Sequence, residues 1–389
     1  MTPQPLTRAD ALRQLADFLP KAGADYARLR NLDLGPGRHA HVSGLSTALR
    51  RRLISEEEVV AAVLSRHGFA GAEKFISEVF WRSYWKGWLE SRASLWPAYM
   101  SAVLRAQDRL SRDPALANRY ADACAGRTGI DCFDGWAQEM ATTGYLHNWA
   151  RMQFASIWIF TLGLPWELGA AHTLARFADG DPASNTLSWR WVAGLHTVGK
   201  AYLADAERIT RMTGGRYASE GLAREAVIPP DGLPVVAASA SRIPVAPDPQ
   251  TPCLLLLTVE DLSPETLPAL RALPIRALAC LPVETDADRM AIADARARAL
   301  AVWPKISDLG VLTPDALTQL EGTQIVTPFA PVGPVADRLS GLRKSAAAVG
   351  IALTEVQRDW DRVVWPHCRK GFFGLKQEIP TILAARGLA

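Results

Sequence analysis

The residues whose types could do chemistry concentrate between Gly126 and Gly194. That stretch holds Gly126-Arg127-Thr128-Gly129, then Thr143-Gly144-Tyr145-Leu146-His147-Asn148-Trp149-Ala150-Arg151-Met152, then Asp179-Gly180-Asp181-Pro182-Ala183-Ser184-Asn185, and last Trp189-Arg190-Trp191. Upstream stand Ser43-Gly44-Leu45-Ser46 and Glu78-Val79-Phe80-Trp81-Arg82-Ser83-Tyr84. Tryptophan is in excess: thirteen, against eleven Phe and seven Tyr, and ten of them precede residue 200. Large indoles bury well but need a partner for the N–H, so such an excess suits interface anchors, a flat aromatic ligand or redox-active side chains. Five cysteines (Cys124, Cys132, Cys253, Cys280 and Cys368) are scattered without a Cys-x-x-Cys pair. This argues against a disulfide framework, a zinc site or an iron–sulfur cluster, so no metal site is expected. The run Arg50-Arg51-Arg52 reads either as a phosphate contact or as a solvated helix end.

Two kinds of element must carry these residues. From about residue 8 to 225 the pattern is helix after helix: Phe75, Val79 and Phe80, and Leu146, Trp149, Met152, Gln153 and Ser156, recur at three and four. Ser55 with Glu58 forms a capping box ahead of Val59, Val60 and Val63. Residues 226–252 contain seven prolines (Pro229, Pro230, Pro234, Pro244, Pro247, Pro249 and Pro252) and read as a linker or a chain draped over the surface. Beyond it, apolar runs at Cys253–Thr258, Arg276–Val283, Gln324–Phe329 and Ile351–Val356 alternate with helices over Pro264–Leu273, Asp286–Ala301 and Val335–Val349. Such alternation predicts a parallel sheet in a layered α/β fold. The expected organisation is an all-helical domain (1–225), a Pro-rich linker (226–252) and a smaller, doubly wound α/β domain (253–389). No Gly-x-Gly-x-x-Gly or Gly-x-x-x-x-Gly-Lys-Ser/Thr accompanies the predicted strands.

The 389 residues, 49% hydrophobic and 21% charged, suit a soluble globular protein of two domains. No stretch reaches the roughly 18 apolar residues of a spanning helix, and no signal peptide is evident, so a cytoplasmic protein without a membrane partner is expected. A net charge of +3 is too small by itself to establish a polyanionic partner.

The motifs quoted above resemble, in the same order, those of the photolyase and cryptochrome family. The family patterns are Ser-x-Leu-Ser, Glu-Leu-x-Trp-Arg-x-Tyr/Phe, Gly-x-Thr-Gly, Thr-Gly-Trp-x-His-Asn-x-x-Arg-Met and Asp-Gly-Asp-x-x-x-Asn-x-x-x-Trp-x-Trp. The resemblance covers residues 26 to 220 and implies an FAD-binding helical domain. By it, FAD is held by Tyr26, Ser43, Leu45, Ser46, Phe75, Glu78, Arg82, Asn148, Arg151, Asp179, Asp181 and Asn185. Ser43 and Ser46 would meet the diphosphate at a helix N-terminus; taken without the other motifs, an ordinary helix cap is an equal reading. Arg151 and Asp179 match a buried ion pair beside the flavin ring, and Asn185 matches the residue facing flavin N5.

The resemblance further implies a cavity for a flipped pyrimidine dimer lined by Glu78, Trp81, Asn148, Met152 and Trp191, with UV-damaged DNA as partner. Trp189 and Trp166 match the inner members of a chain that passes electrons to flavin. The outer member has no clear counterpart, with Trp88, Trp96, Trp136 and Trp149 as substitutes. The expected activity is light-driven splitting of cyclobutane dimers by a monomer; the alternative is a blue-light photoreceptor addressing a protein partner. Two departures stand out. Tyr202 to Arg208 replace a family stretch rich in aromatics and Asn-Pro, and the α/β half follows the helical half instead of preceding it. That half reads as a permuted antenna-type domain or as an unrelated addition, and which antenna chromophore it would carry is open.

Overall fold

The computed structural model describes residues 4–197, 199–230, 233, 236–313, 317, 320 and 322–388. Pro234 of the proline-rich run lies outside the described residues. Before Cys253 the described elements are helices: α1 (Arg8–Phe18), α2 (Ala24–Leu29), α3 (Ser46–Arg50), α4 (Glu56–Glu90), α5 (Leu95–Arg112), α6 (Pro114–Ala125), α7 (Asp131–Thr143), α8 (Asn148–Ser156), α9 (Trp166–Arg176), α10 (Pro182–Val192) and α11 (Ala206–Met212). Strands then alternate with helices: β1 (Cys253–Leu257), α12 (Pro268–Arg271), β2 (Ile275–Cys280), α13 (Asp286–Val302), β3 (Ser307–Val311), β4 (Gln324–Pro328), α14 (Pro334–Ala347), β5 (Leu353–Val356), α15 (Asp359–Val364) and α16 (Phe372–Ala385). The chain forms two compact units, each discontinuous in sequence.

The first unit comprises Lys21–Ser43 and Arg92–Ala238, and contains α2 and α5 to α11. Its helices start on local chemistry. Asp113 accepts from Leu116 N–H at 2.9 Å with Pro114 in the first turn of α6, and Asp181 does the same for α10 with Pro182. The Gly126-Arg127-Thr128-Gly129 motif is a joint between α6 and α7. Thr128 N–H, its hydroxyl and Gly129 N–H all donate to Asp134, at 2.8, 2.8 and 2.9 Å. At its end α8 runs on into a π-helical turn, Ile157–Thr161.

The second unit comprises Gln4–Pro20, Gly44–Ser91 and the chain from Ser239 onward. The capping box at Ser55 and Glu58 forms as its spacing predicts. Helix α4 is interrupted at Gly68, whose φ of +64° lies in the region where only glycine is comfortable. Among the described residues five strands form one parallel sheet, in the order β3-β2-β1-β4-β5. The chain moves outward from β1 in one direction and then returns to build the other side, which is the doubly wound arrangement. Strands β1, β4 and β5 are buried throughout and β3 is an exposed edge. Leu254, Leu256, Ile325, Val335, Leu339 and Leu353 form the heart of this core. Extended chain after Ser239 covers the β5 edge, where Glu355 N–H donates to Val245 O at 2.8 Å.

The arginine run corrects both readings offered for it. Arg50, Arg51 and Arg52 are neither phosphate ligands on the surface nor a solvated end; all three are buried. Arg50 pairs with Glu260 at 2.8 Å, Arg51 with Asp288 at 2.7 Å, and Arg52 with Asp361 at 2.7 Å and Glu56 at 3.4 Å. Burial of charge forces such pairing, because an isolated guanidinium in the interior would cost several kcal/mol. The segment Pro264–Leu273 also differs from its reading. It is a 3₁₀ turn (Pro264–Thr266) followed by α12, since Pro268 disfavours helical backbone at Leu267.

Candidate functional site

Of the residues named by the motifs, Tyr26, Ser43, Asn148, Arg151, Met152, Asp179, Asp181 and Asn185 belong to the first unit, with Trp166, Trp189 and Trp191. Leu45, Ser46, Phe75, Glu78, Trp81 and Arg82 belong to the second.

In the first unit α8 is started by His147, whose Nδ1 accepts from Trp149 N–H at 3.2 Å. This fixes Asn148 as the first helical residue and puts Met152 four positions on, along the same face. Asn148 is exposed; Met152 and Trp191 are half-buried. Arg151 anchors itself through Nε to Leu146 O at 3.0 Å and sends Nη1 to both oxygens of Asp179, at 3.1 and 3.0 Å. Its guanidinium lies 3.8 Å from the centre of the Phe177 ring, a cation–π contact that orients the plane. Asp181 spends one oxygen on the α10 cap. One turn on, Asn185 donates to Ala170 O at 2.7 Å and accepts from Thr173 Oγ1 at 2.9 Å. Tyr202, from the departing stretch, packs against Trp191 with ring centres 5.6 Å apart, and its hydroxyl accepts from Gln153 Nε2 at 2.6 Å.

Ionisable groups surround this arrangement within the unit. The ring of His39 lies 5.4 Å from that of His147 and 5.3 Å from that of Tyr145, and Arg151 lies over Tyr145 at 5.7 Å. Burial pushes His147 down to about 4, so it is neutral at pH 7. Burial would raise Asp33, but His39, Arg216 and Trp136 outweigh it and hold the carboxyl down at about 2. Glu139 is pushed up to about 7 by burial and by the charge of Asp33. Tyr145, His147 and Arg151 of this cluster stand in one motif, whereas Asp33, His39 and Glu139 lie outside the motifs.

In the second unit Ser46 begins α3, whose start has no side-chain cap, so the helix-cap reading of Ser46 does not hold. Phe75, Glu78, Trp81 and Arg82 follow one another along α4 at helical spacing. Phe75 is buried against Phe18, ring centres 5.1 Å apart. Trp81 is half-buried. Phe372, the first residue of α16, stacks on it at 3.8 Å and 11°, while Tyr84 meets it edge-on. Between Trp365 and Phe373, Trp365, Cys368 and Phe372 are buried, while Pro366, His367, Arg369, Lys370, Gly371 and Phe373 are exposed.

These donors suit a flavin. The first unit offers the buried carboxylate of Asp179 paired with the half-buried guanidinium of Arg151 and an amide in the first turn of α10, and between Asp181 and Asn185 the Ser184 hydroxyl is buried without a hydrogen-bond partner. A polar atom in that state is satisfied by a polar ligand or water. Among the described residues no group of three or more His, Cys, Asp or Glu side chains could hold a metal ion. None of their helices is long and apolar enough to cross a membrane.

Comparison with known proteins points the same way. Residues 75–214 match the FAD binding domain of DNA photolyase. A deoxyribodipyrimidine photo-lyase of Streptomyces griseus is 33% identical over 156 residues, 40% of this chain and 32% of that protein. A cryptochrome DASH of Natronomonas pharaonis is 37% identical over 110 residues, 25% and 23% of the respective chains. The structure of a class III photolyase from Agrobacterium tumefaciens aligns over 54% of this chain and 43% of its own at 26% identity, with a TM-score of 0.42. The chain thus spans well under half the length of these relatives. The helical region is a flavin-binding one, with FAD as its cofactor. Over these residues the chain is similar to the photolyase and cryptochrome family.

Proposed function

We propose that the chain is a blue-light-driven repair enzyme that splits cyclobutane pyrimidine dimers in DNA. What supports this reading is that Glu78 and Trp81 lie one turn apart on α4, and Asn148 and Met152 one turn apart on α8, and that by resemblance these four match residues the family sets around the dimer. Reduced FAD supplies an electron to the dimer and receives it back, so no net redox change occurs. Trp81 and Trp191 stack on the extruded lesion, Glu78 hydrogen-bonds the pyrimidine edge, and Asn148 and Met152 line the remaining wall. Photolyases for six-four photoproducts carry histidines where Asn148 and Met152 stand, which disfavours that substrate. Arg151 and Asp179 hold each other beside the flavin, and Ser43, Ser46 and Arg82 serve its phosphates and ribityl chain. The α/β region fills the role of a permuted antenna-type domain.

A second reading, a photoreceptor without repair, draws on two observations. One relative is a cryptochrome DASH, and Phe372 already covers one face of Trp81. The experiment is to illuminate the purified, reduced protein with dimer-containing duplex. Repair predicts loss of lesions and lesion binding that weakens with salt. Intact lesions together with normal flavin photoreduction would overturn repair and favour the photoreceptor.

A further inference from the structure

Trp158 belongs to none of the motifs, yet three features of the first unit are arranged around it. It lies in the π-helical turn Ile157–Thr161; such turns inside α-helices re-aim side chains and recur at functional sites. Residue 169 is glycine, and a Cβ there would come within 2.5 Å of Trp189 Cζ3 and 2.9 Å of Trp158 Nε1. Both indole N–H groups are satisfied: Trp158 donates to Pro165 O at 3.0 Å and Trp189 to Thr173 Oγ1 at 2.9 Å.

The two rings meet edge to face, with centres 6.0 Å apart at 84°. Trp158 then meets Tyr120 of α6 in the same manner, at 5.8 Å and 88°. Edge-to-face contact at such separations brings the ring edges to van der Waals distance, where electron exchange between rings is efficient. Trp158 is wholly buried and Tyr120 is half-exposed. At the inner end, Thr173 Oγ1 links Trp189 to Asn185 Oδ1 at 2.9 Å. One row therefore runs from Asn185 to the surface.

Trp166 belongs to a different row. It stacks on Tyr99 at 5.7 Å, and Tyr99 leads to Trp96 at 5.6 Å. All three are buried, and among the described residues no ring contact joins Trp166 to Trp189.

We propose that Trp189, Trp158 and Tyr120 relay electrons from the surface to the flavin, with Tyr120 as the outer terminus and Trp166 off the path. The inference rests on the flavin reading above and is independent of repair. Trp189 gives one electron to light-excited, oxidised FAD, Trp158 replaces it, and Tyr120 replaces that of Trp158. Tyr120 releases its phenolic proton to water as it is oxidised. A soluble thiol then returns one electron and one proton to it, and two thiyl radicals join as a disulfide. Burial and the neighbouring Cys124 push Tyr120 up to about 12, so its proton stays until oxidation.

Transient absorption and electron paramagnetic resonance on the FAD-loaded full chain test the path. The wild type yields a tyrosyl radical after the flash. Tyr120→Phe loses it and leaves a tryptophanyl radical; Trp158→Phe loses the long-lived radical of either kind, and Trp158→Tyr restores one. Trp166→Phe leaves all signals in place. Tyr120 is half-exposed, so its variant folds even where Trp158 variants do not. In the flavin-free full chain, pulse radiolysis with azide radicals oxidises tryptophan, and conversion to tyrosyl radical drops in Tyr120→Phe. A tyrosyl signal undiminished in Tyr120→Phe, or photoreduction abolished by Trp166→Phe and untouched by Trp158→Phe, overturns the relay. Dimers left intact by a protein that photoreduces normally overturn repair and leave the relay standing. Failure to take up FAD overturns the functional reading, and the radiolysis arm then decides the relay.

Discussion

Two clusters of buried charge, one in each unit, settle their desolvation differently. Around Arg52 the guanidinium reaches Asp361 at 2.7 Å and Glu56 at 3.4 Å, while Arg358 takes Asp261 through two hydrogen bonds. Burial would raise Asp261, but Arg358 and Arg52 pull it below the usual carboxylate range; burial pushes Asp361 up in spite of Arg52. Around Asp33 one carboxylate collects nearly every donor: His39 at 3.0 Å, Gly35 N–H at 3.2 Å, Trp136 at 2.8 Å and Arg216 at 3.1 Å. Glu139 is left with His39 at 3.9 Å and titrates near neutrality. The difference teaches that the distribution of donors, more than the count of charges, decides which carboxylate stays ionised.

The largest effect is expected at Arg52. Arg52→Met leaves Glu56, Asp261 and Asp361 without their shared cation and costs about 3–5 kcal/mol, read as a fall in the urea midpoint. Adding Asp361→Leu recovers part of the loss, because burying two apolar groups is cheaper than burying one unpaired charge. A cost below about 1 kcal/mol for the single variant, in the range of exposed pairs, would break the contrast.

Glu139 should give the next largest effect, and its sign depends on pH. Its carboxyl is raised from 4.5 to about 7 in the folded chain, so between these values the folded state binds more protons than the unfolded one. Stability from this group is full below pH 4.5 and is lost as pH rises through about 7. The 2.5-unit difference between those two values corresponds to at most about 3 kcal/mol. Glu139→Gln cannot ionise, so its stability relative to wild type should climb from pH 4.5 to 7 and then level off. Denaturation curves at four or five pH values would check this; a flat difference would mean that Glu139 is well paired after all.

The two clusters also mark the limit of what the chain reveals as a string. The capping box at Ser55 was legible because both partners lie three residues apart, and the Arg151–Asp179 pair because two separate motifs carry its ends. Strands β1, β2, β4 and β5 were legible as apolar runs. Strand β3 was not: Ser307-Asp308-Leu309-Gly310-Val311 is an exposed edge with neither an apolar run nor β-branched enrichment. Arg50 to Arg52 misled because a charge run shows no sign of burial until its partners, more than two hundred residues away for Glu260, Asp288 and Asp361, are in place. Asp33 and His39 lie in irregular chain after α2 and come together with Glu139 only through tertiary contact. Trp158 was hidden for a related reason: a helical pattern does not announce its π turn.

The smallest effect should come from a pair with the geometry of Arg52–Asp361 and none of its burial. On α5, Arg112 reaches Asp108 one turn back at 2.9 Å, with the two side chains 76% and 51% exposed. Water screens both charges, and holding two long side chains in one geometry costs entropy, so such i,i+4 pairs contribute about 0.3–0.5 kcal/mol. Arg112→Ala should therefore shift the urea midpoint barely beyond error, and less still at high salt, where the Debye length shrinks to about 3 Å at 1 M. Donor–acceptor distance is nearly the same at Arg52 and Arg112. A loss at Arg112 comparable to that at Arg52 would mean that distance governs these pairs; a tenfold smaller one assigns the difference to burial.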